Sequence, residues 1–348
     1  MTDARSDSLP VEQLLIVGPA WVGDMVMAQS LFKALKSADA GRHLDVLAPD
    51  WSVPLLARMP EVRTAVTTPF AHGRLQLRER WRLARELKSR GYQQAIILPN
   101  SFKSALIPWF AGIPRRTGYV GEQRWGLVND IRRLDTHALP MTVQRFVALA
   151  AARNHPPPTR TGIVPPALRV DTARAARACA AFGLGAAGRP VLALCPGAEY
   201  GPAKRWPADY FAQVARAKRV AGWRVWLFGS TRDAAICAAV RARAGTECIN
   251  LAGRTSLEQA IDLLSMATLV VSNDSGLMHI AAALNRPLVA VYGSSDPGFT
   301  PPLSARARVI WLGLECSPCF QRNCPLKHLN CLNQLAPEEV LQVADSVI

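Results

Sequence analysis

Apolar residues along this chain alternate between two rhythms. A short apolar run at residues 14–18 ends in glycine, and Met25, Ala28, Leu31, Phe32 and Leu35 then recur at helical spacing. Further strands are predicted at 44–47, 62–66 and 95–98, with helices at 75–89 and 102–110. After a helix at 171–182 the alternation becomes more regular. Strands are predicted at 191–195, 224–228, 248–251, 269–272 and 288–292, and helices at 208–221, 232–244, 257–267 and 276–284. Strand followed by helix, repeated, argues for parallel sheets covered on both faces.

Pro156, Pro157, Pro158, Pro165 and Pro166 cluster between the two series and read as a linker. The expected architecture is therefore α/β, with two Rossmann-like doubly wound domains, 1–165 and 166–348, facing each other across a cleft. In such sheets ligands sit beyond the carboxyl ends of the strands. That places candidate sites in the loops after Val17, Leu98, Cys195, Phe228, Val271 and Val291. The chain shows no repeat of 20–50 residues.

Size and charge sharpen this picture. At 348 residues the chain exceeds what one hydrophobic core usually serves, and 49% apolar content is ample for two. Lys and Arg number 41 against 26 Asp and Glu, a formal charge of +15. Nucleic acid, an anionic membrane and phosphorylated small molecules all suit such a surface. Arg74, Arg78, Arg80, Arg82 and Arg85 surround Trp81 and read as one basic helix face or as an ordinary solvated surface. Residues 1–10 are polar and acidic, unlike a secretory signal, and no apolar run reaches the roughly 18–20 residues needed to span a bilayer. A cytoplasmic protein with reduced cysteines, touching membrane only peripherally, is expected.

Three segments carry candidate chemistry. Gly18, Trp21 and Gly23 lead into Asp24 at the start of a helix, without a G-x-G-x-x-G fingerprint or a Walker lysine. Asp24 is suited to capping the helix or to acting as a fixed base. The loop at 196–207 holds Gly197, Lys204 and Arg205 among prolines and glycines, and suits a diphosphate or a solvated basic turn. The third segment runs through Asn273, Asp274, Ser275 and Gly276 to His279. Its helix N-terminus suits an anion, while Asp274 suits loop ordering or sugar hydroxyls. His279 lies among apolar residues and reads as a satisfied, partly buried histidine. Cys316, Cys319, Cys324 and Cys331, with His328 between them, read as reduced structural thiols, with zinc or an iron-sulfur cluster as the alternative.

Together LLIVGPAWVGDMVMAQSLFKALK, PGAEYGPAKRWP, NLAGRTSLEQAIDLLSMATLVVSNDSGLMHIAAAL and CSPCFQRNCPLKHLNCL resemble the lipopolysaccharide heptosyltransferases, glycosyltransferase family 9. The resemblance covers nearly the whole chain from Leu14. It implies a GT-B fold and inverting transfer of L-glycero-D-manno-heptose from ADP-heptose, with no nucleic-acid partner. The tail and the GPAWVGDM opening favour the member that adds the second heptose, with heptosyl-Kdo2-lipid A at the cytoplasmic face of the inner membrane as acceptor. A member acting earlier or later, and a non-catalytic nucleotide-sugar binder, are the alternatives. The same resemblance puts the base on Asp24 and the leaving-group cation on Lys204. It groups Gly197, Arg205, Asn273, Asp274, Ser275, Gly276 and His279 with the donor, and Gly18, Trp21 and Gly23 with the acceptor loop. It implies no required cofactor, with divalent-cation stimulation and a structural metal at the four cysteines as open additions. Because a helix dipole lowers a carboxylate's basicity, Asp24 is expected to act chiefly through its position.

Overall fold

A computed structural model describes residues 11–70, 74–185 and 188–348. The polar stretch at 1–10 lies outside these residues. The chain forms two compact units. One holds the residues up to Ala20, Ser30–Leu139 and Gln144–Val164, and the other holds Trp21–Gln29, Pro140–Val143 and Pro165–Ile348.

The first sheet is built from β1 (Gln13–Val17), β2 (His43–Pro49), β3 (Thr64–Thr68), β4 (Gln94–Ile97), β5 (Arg115–Tyr119) and β6 (Asp130–Arg132). Its helices are α1 (Val22–Ala38), α2 (Val53–Leu56), α3 (Leu77–Lys88), α4 (Leu106–Phe110) and α5 (Thr142–Ala148). α1 starts among the residues of the second unit and continues into the first. All strands pair in parallel in the order β3-β2-β1-β4-β5-β6, with Leu14–Val17 in register against both β2 and β4. Leu14, Leu15 and Ile16 are fully buried, as an uninterrupted apolar run must be when helices cover both faces.

After α6 (Thr172–Ala181), the second unit continues with β7 (Val191–Cys195), α7 (Ala208–Val220), β8 (Arg224–Leu227), α8 (Ala234–Ala244), β9 (Ile249–Asn250) and α9 (Leu257–Leu264). β10 (Leu269–Asn273), α10 (Gly276–Ala283), β11 (Leu288–Val291), β12 (Ala307–Ile310), α11 (Asn330–Asn333) and α12 (Pro337–Ser346) complete it. The order β12-β11-β10-β7-β8-β9 repeats that of the first sheet, also in parallel. Its strand order reverses between β7 and β10, and such a reversal opens a crevice between the loops that leave the two strands. Leu192, Leu194, Val271, Val289, Trp206 and Phe211 are fully buried in the core beneath.

Several elements depart from the sequence expectation. β5 and β6 were not predicted because RRTGY and DIR lack apolar alternation. They are held instead by polar pairing, with Asp130 3.2 Å from Arg115, 3.0 Å from Arg132 and accepting from Thr117 at 2.8 Å. β12 is an equally polar edge strand, and α12 packs Val340 and Ala344 into the second core. α3 starts at Leu77 because Gln76 takes a left-handed conformation. Arg80 does not belong to the basic face. It is buried, donating to the carbonyls of Leu75 (2.6 Å) and Lys103 (3.1 Å) and lying 4.4 Å over the Phe70 ring. Arg74, Arg78, Arg82 and Arg85 are exposed beside Leu75, Leu77 and a half-exposed Trp81.

Candidate active site

The loop after β7 is pinned at both ends. Trp206, fully buried, donates its backbone N–H to Asn273 Oδ1 (3.0 Å) and its indole N–H to the Leu335 carbonyl (3.0 Å). The other end of the Asn273 amide donates to the Pro196 carbonyl at 2.7 Å. One buried side chain at the end of β10 therefore fixes the whole loop that leaves β7. Between these anchors a 3-10 turn, Pro202–Lys204, carries the lysine.

Lys204 Nζ donates to Asp274 Oδ2 and lies 5.0 Å from the centre of the Tyr200 ring. Asp274, buried just beyond β10, also accepts from Ser295 Oγ at 2.5 Å. The carboxylate therefore orders the site through a lysine and a serine. Capping of α10 falls to Ser275, whose Oγ accepts from the Met278 N–H at 3.4 Å. The first turn of α1 comes against that of α10. A β-carbon on Gly276 would stand 2.7 Å from Val22 Cβ, and one on Gly23 would stand 2.6 Å from His279 Cδ2. Glycine at both positions is what lets the two positive helix ends approach.

Asp24 occupies the first turn of α1. Burial pushes its carboxyl up to about 6. Lys204 works against that rise and Asp274 adds to it. The direction is opposite to that expected from the helix dipole alone, and its largest cause is desolvation. The group is mostly ionised at neutral pH and still basic enough to accept a proton. His279 is driven the other way, down to about 4, chiefly by burial, and is neutral at pH 7.

The profile of glycosyltransferase family 9 (heptosyltransferase) matches residues 80–330. Lipopolysaccharide heptosyltransferase 2 of Salmonella typhimurium is 46% identical over 97% of this chain and 98% of its own length. The chain belongs to glycosyltransferase family 9, the heptosyltransferases. Lipooligosaccharide heptosyltransferase 2 of Haemophilus ducreyi is 48% identical, covering 86% of this chain and 88% of that protein. The structure of E. coli ADP-heptose lps heptosyltransferase II superposes with a TM-score of 0.84 at 43% identity, covering 96% of this chain and 98% of that one. The two parallel sheets and this likeness bear out the GT-B fold, and the chain is a glycosyltransferase.

Within this heptosyltransferase the second unit gathers Asp24, Lys204, Asp274, Ser275, Gly276 and His279 around the β7–β10 crevice. Trp21 lies in the same unit, exposed just before α1, whereas Gly18 follows β1 in the first unit and donates to the Leu47 carbonyl at 2.9 Å. Arg205 turns from Lys204 toward Asp233, 3.6 Å away, and donates to the Ala198 carbonyl at 3.2 Å. Gly197 is needed there, since a β-carbon would stand 2.2 Å from the Asp233 carboxyl carbon. Asn273 spends both ends of its amide on backbone and acts as a staple. Ser295 is not marked by the sequence, and Tyr200 enters it only as one member of the 196–207 loop, with no role of its own. The loop after Val291 was a candidate region, but nothing local distinguished its serines.

The four C-terminal cysteines are free thiols lining one small cavity with Ala203, Ser294 and His328. Among the described residues no three His, Cys, Asp or Glu groups stand ready to hold a metal ion. Backbone N–H groups, that of Leu329 first, hold the Cys324 thiol below its ordinary value, while burial and then the other three thiols raise that of Cys331. Among the described residues no helix is long and apolar enough to cross a membrane.

Proposed function

We propose that this heptosyltransferase moves L-glycero-D-manno-heptose from ADP-heptose onto the first heptose of the Kdo2-lipid A core, with inversion at the anomeric carbon. The observation that carries the reading is the Asp24 carboxyl, raised to about 6, beside the Lys204–Asp274 pair. The ionised carboxylate takes the proton of the acceptor hydroxyl as its oxygen attacks the anomeric carbon from the face opposite ADP. The bond from that carbon to the diphosphate oxygen breaks, and its electron pair leaves with ADP. Lys204 stabilises the charge that collects there. Asp274 and Ser275 hold the donor's sugar and diphosphate, with neutral His279 packed behind them. Residues 166–348, together with the first turn of α1, bind the donor, and residues 1–165 bind the acceptor.

The acceptor is an anionic lipid, and the first unit offers a surface that suits its membrane. Arg74, Arg78, Arg82 and Arg85 are exposed along the same stretch as Leu75, Leu77 and Trp81, with Arg85 4.8 Å over the Trp81 ring. Exposed aromatic and apolar groups rimmed by arginine suit the headgroup region of an anionic bilayer. We place the protein at the cytoplasmic face of the inner membrane on that basis. Sedimentation with anionic vesicles that weakens as salt rises is expected; salt-independent binding would remove the electrostatic part of the reading.

ADP release from ADP-heptose, with and without monoheptosylated Kdo2-lipid A and beside Asp24→Ala, tests the reaction. Acceptor-dependent release that disappears in the variant supports it. Release with the unheptosylated acceptor alone would instead assign the first transfer. Absence of release with either acceptor would make the protein a binder.

A further inference from the structure

Lys204 is not alone over Tyr200. The Arg322 guanidinium carbon lies 5.2 Å from the centre of the same ring. Two cations on one aromatic ring repel each other, and the ring quadrupole offsets that only in part. Their charges are balanced unequally. Lys204 is paired with Asp274 and Arg205 faces Asp233. Among the described residues Arg322 has neither a carboxylate within ion-pair distance nor a side-chain hydrogen-bond partner.

The backbone that carries Arg322 is tied to the Lys204 loop at several points. Its carbonyl accepts from the Ala203 N–H at 3.1 Å, and it sits so close to Gly201 that a β-carbon there would meet it at 2.4 Å. Two residues earlier, the Phe320 carbonyl accepts from the Tyr200 hydroxyl at 2.6 Å, and the Phe320 N–H donates to the Ser294 carbonyl at 2.7 Å. Cys319 and Cys324 flank the arginine and line the cavity that also touches Ala203 and Ser294. The stretch between β12 and α11 contains no helix or strand, so these ties are what fix where the arginine starts.

We propose that Arg322 is a second cationic ligand for the donor's diphosphate, carried to the site by the cysteine-bearing segment. The inference rests on the reading of this site as the ADP-heptose site. A diphosphate carries more charge than Lys204, already shared with Asp274, can neutralise. A guanidinium can give it two parallel N–H bonds. The role is one of binding: the arginine touches the anion and moves no proton.

Calorimetry with ADP and with inorganic pyrophosphate, and ligand-observed NMR with adenosine, test this on the full chain and on Arg322→Ala and Arg322→Lys. The alanine variant is expected to bind ADP and pyrophosphate about tenfold or more weakly, with adenosine binding and melting temperature unchanged and part of the affinity restored by lysine. Unchanged ADP affinity in the alanine variant would overturn the proposal by making Arg322 a solvated side chain. Equal weakening of adenosine would overturn it by making the residue merely structural. A native chain that binds no ADP would instead fail the ADP-heptose reading itself.

Discussion

The His279 ring closes on the backbone of Gly23, so near that a β-carbon at the glycine would stand 2.6 Å from Cδ2 and 3.2 Å from Nε2. The residue before the candidate base is thus seated directly against the helix that follows Asp274. Gly23→Ala must displace either the imidazole or the first turn of α1. A loss of about 1–3 kcal/mol in stability is expected, with a larger proportional loss of transfer rate. Adding His279→Ala should return part of the stability in thermal melts. Strict additivity of the two changes would mean that the contact is not what excludes a side chain at position 23.

If Asp24 is the base proposed above, activity should depend on pH. With its carboxyl near 6, kcat/KM for transfer should fall as pH drops through that value, because the protonated group accepts nothing. Asp24→Asn should lower turnover by about 10²–10⁴ and remove this acid limb. A limb that persists in the asparagine variant would assign the titration to another group.

The same carboxyl bears on stability with a definite sign. Its folded value lies above the ordinary 3.8, so the protonated form is favoured by folding. That contribution is complete below about 3.8 and is lost as pH rises through about 6. Asp24→Asn should therefore stabilise the protein at pH 7.5, by about 1–2 kcal/mol given partial exposure, and give little at pH 4. Melting curves at the two pH values check this, and equal shifts at both would contradict it.

His279 titrates with the opposite consequence. Its folded value, about 4, lies below the ordinary 6.5, so the stability tied to the neutral ring is full above 6.5 and is lost as pH falls toward 4. His279→Gln should show a shallower loss of melting temperature across that interval than the native chain. Parallel curves would show that the ring does not drive acid unfolding.

Asn273 offers a test of the staple. Asn273→Ala leaves the buried Trp206 N–H and the Pro196 carbonyl without their amide partner, which should cost about 1–3 kcal/mol. Because the loop it releases carries Lys204, kcat should fall by more than donor KM rises. A variant with native kinetics and lowered stability would confine Asn273 to the core.

Local pattern alone made much of this protein legible. The apolar runs at β1, β4, β7, β10 and β11 and the helical spacing between them specify buried parallel strands and crossovers, because both periodicities are written in consecutive residues. The loops after β7 and β10 could be named as candidate sites for the same reason. The polar edge strands β5, β6 and β12 were silent, since what holds them is pairing with a neighbour and not their own burial. The tertiary structure alone decided that Lys204 meets Asp274, 70 positions away, that Arg205 turns to Asp233, and that Arg322 reaches Tyr200 from the far end of the chain. It also decided the basicity of Asp24. The helix dipole could be anticipated from position in sequence, whereas the desolvation that raises the carboxyl depends on which distant segments pack against the first turn of α1.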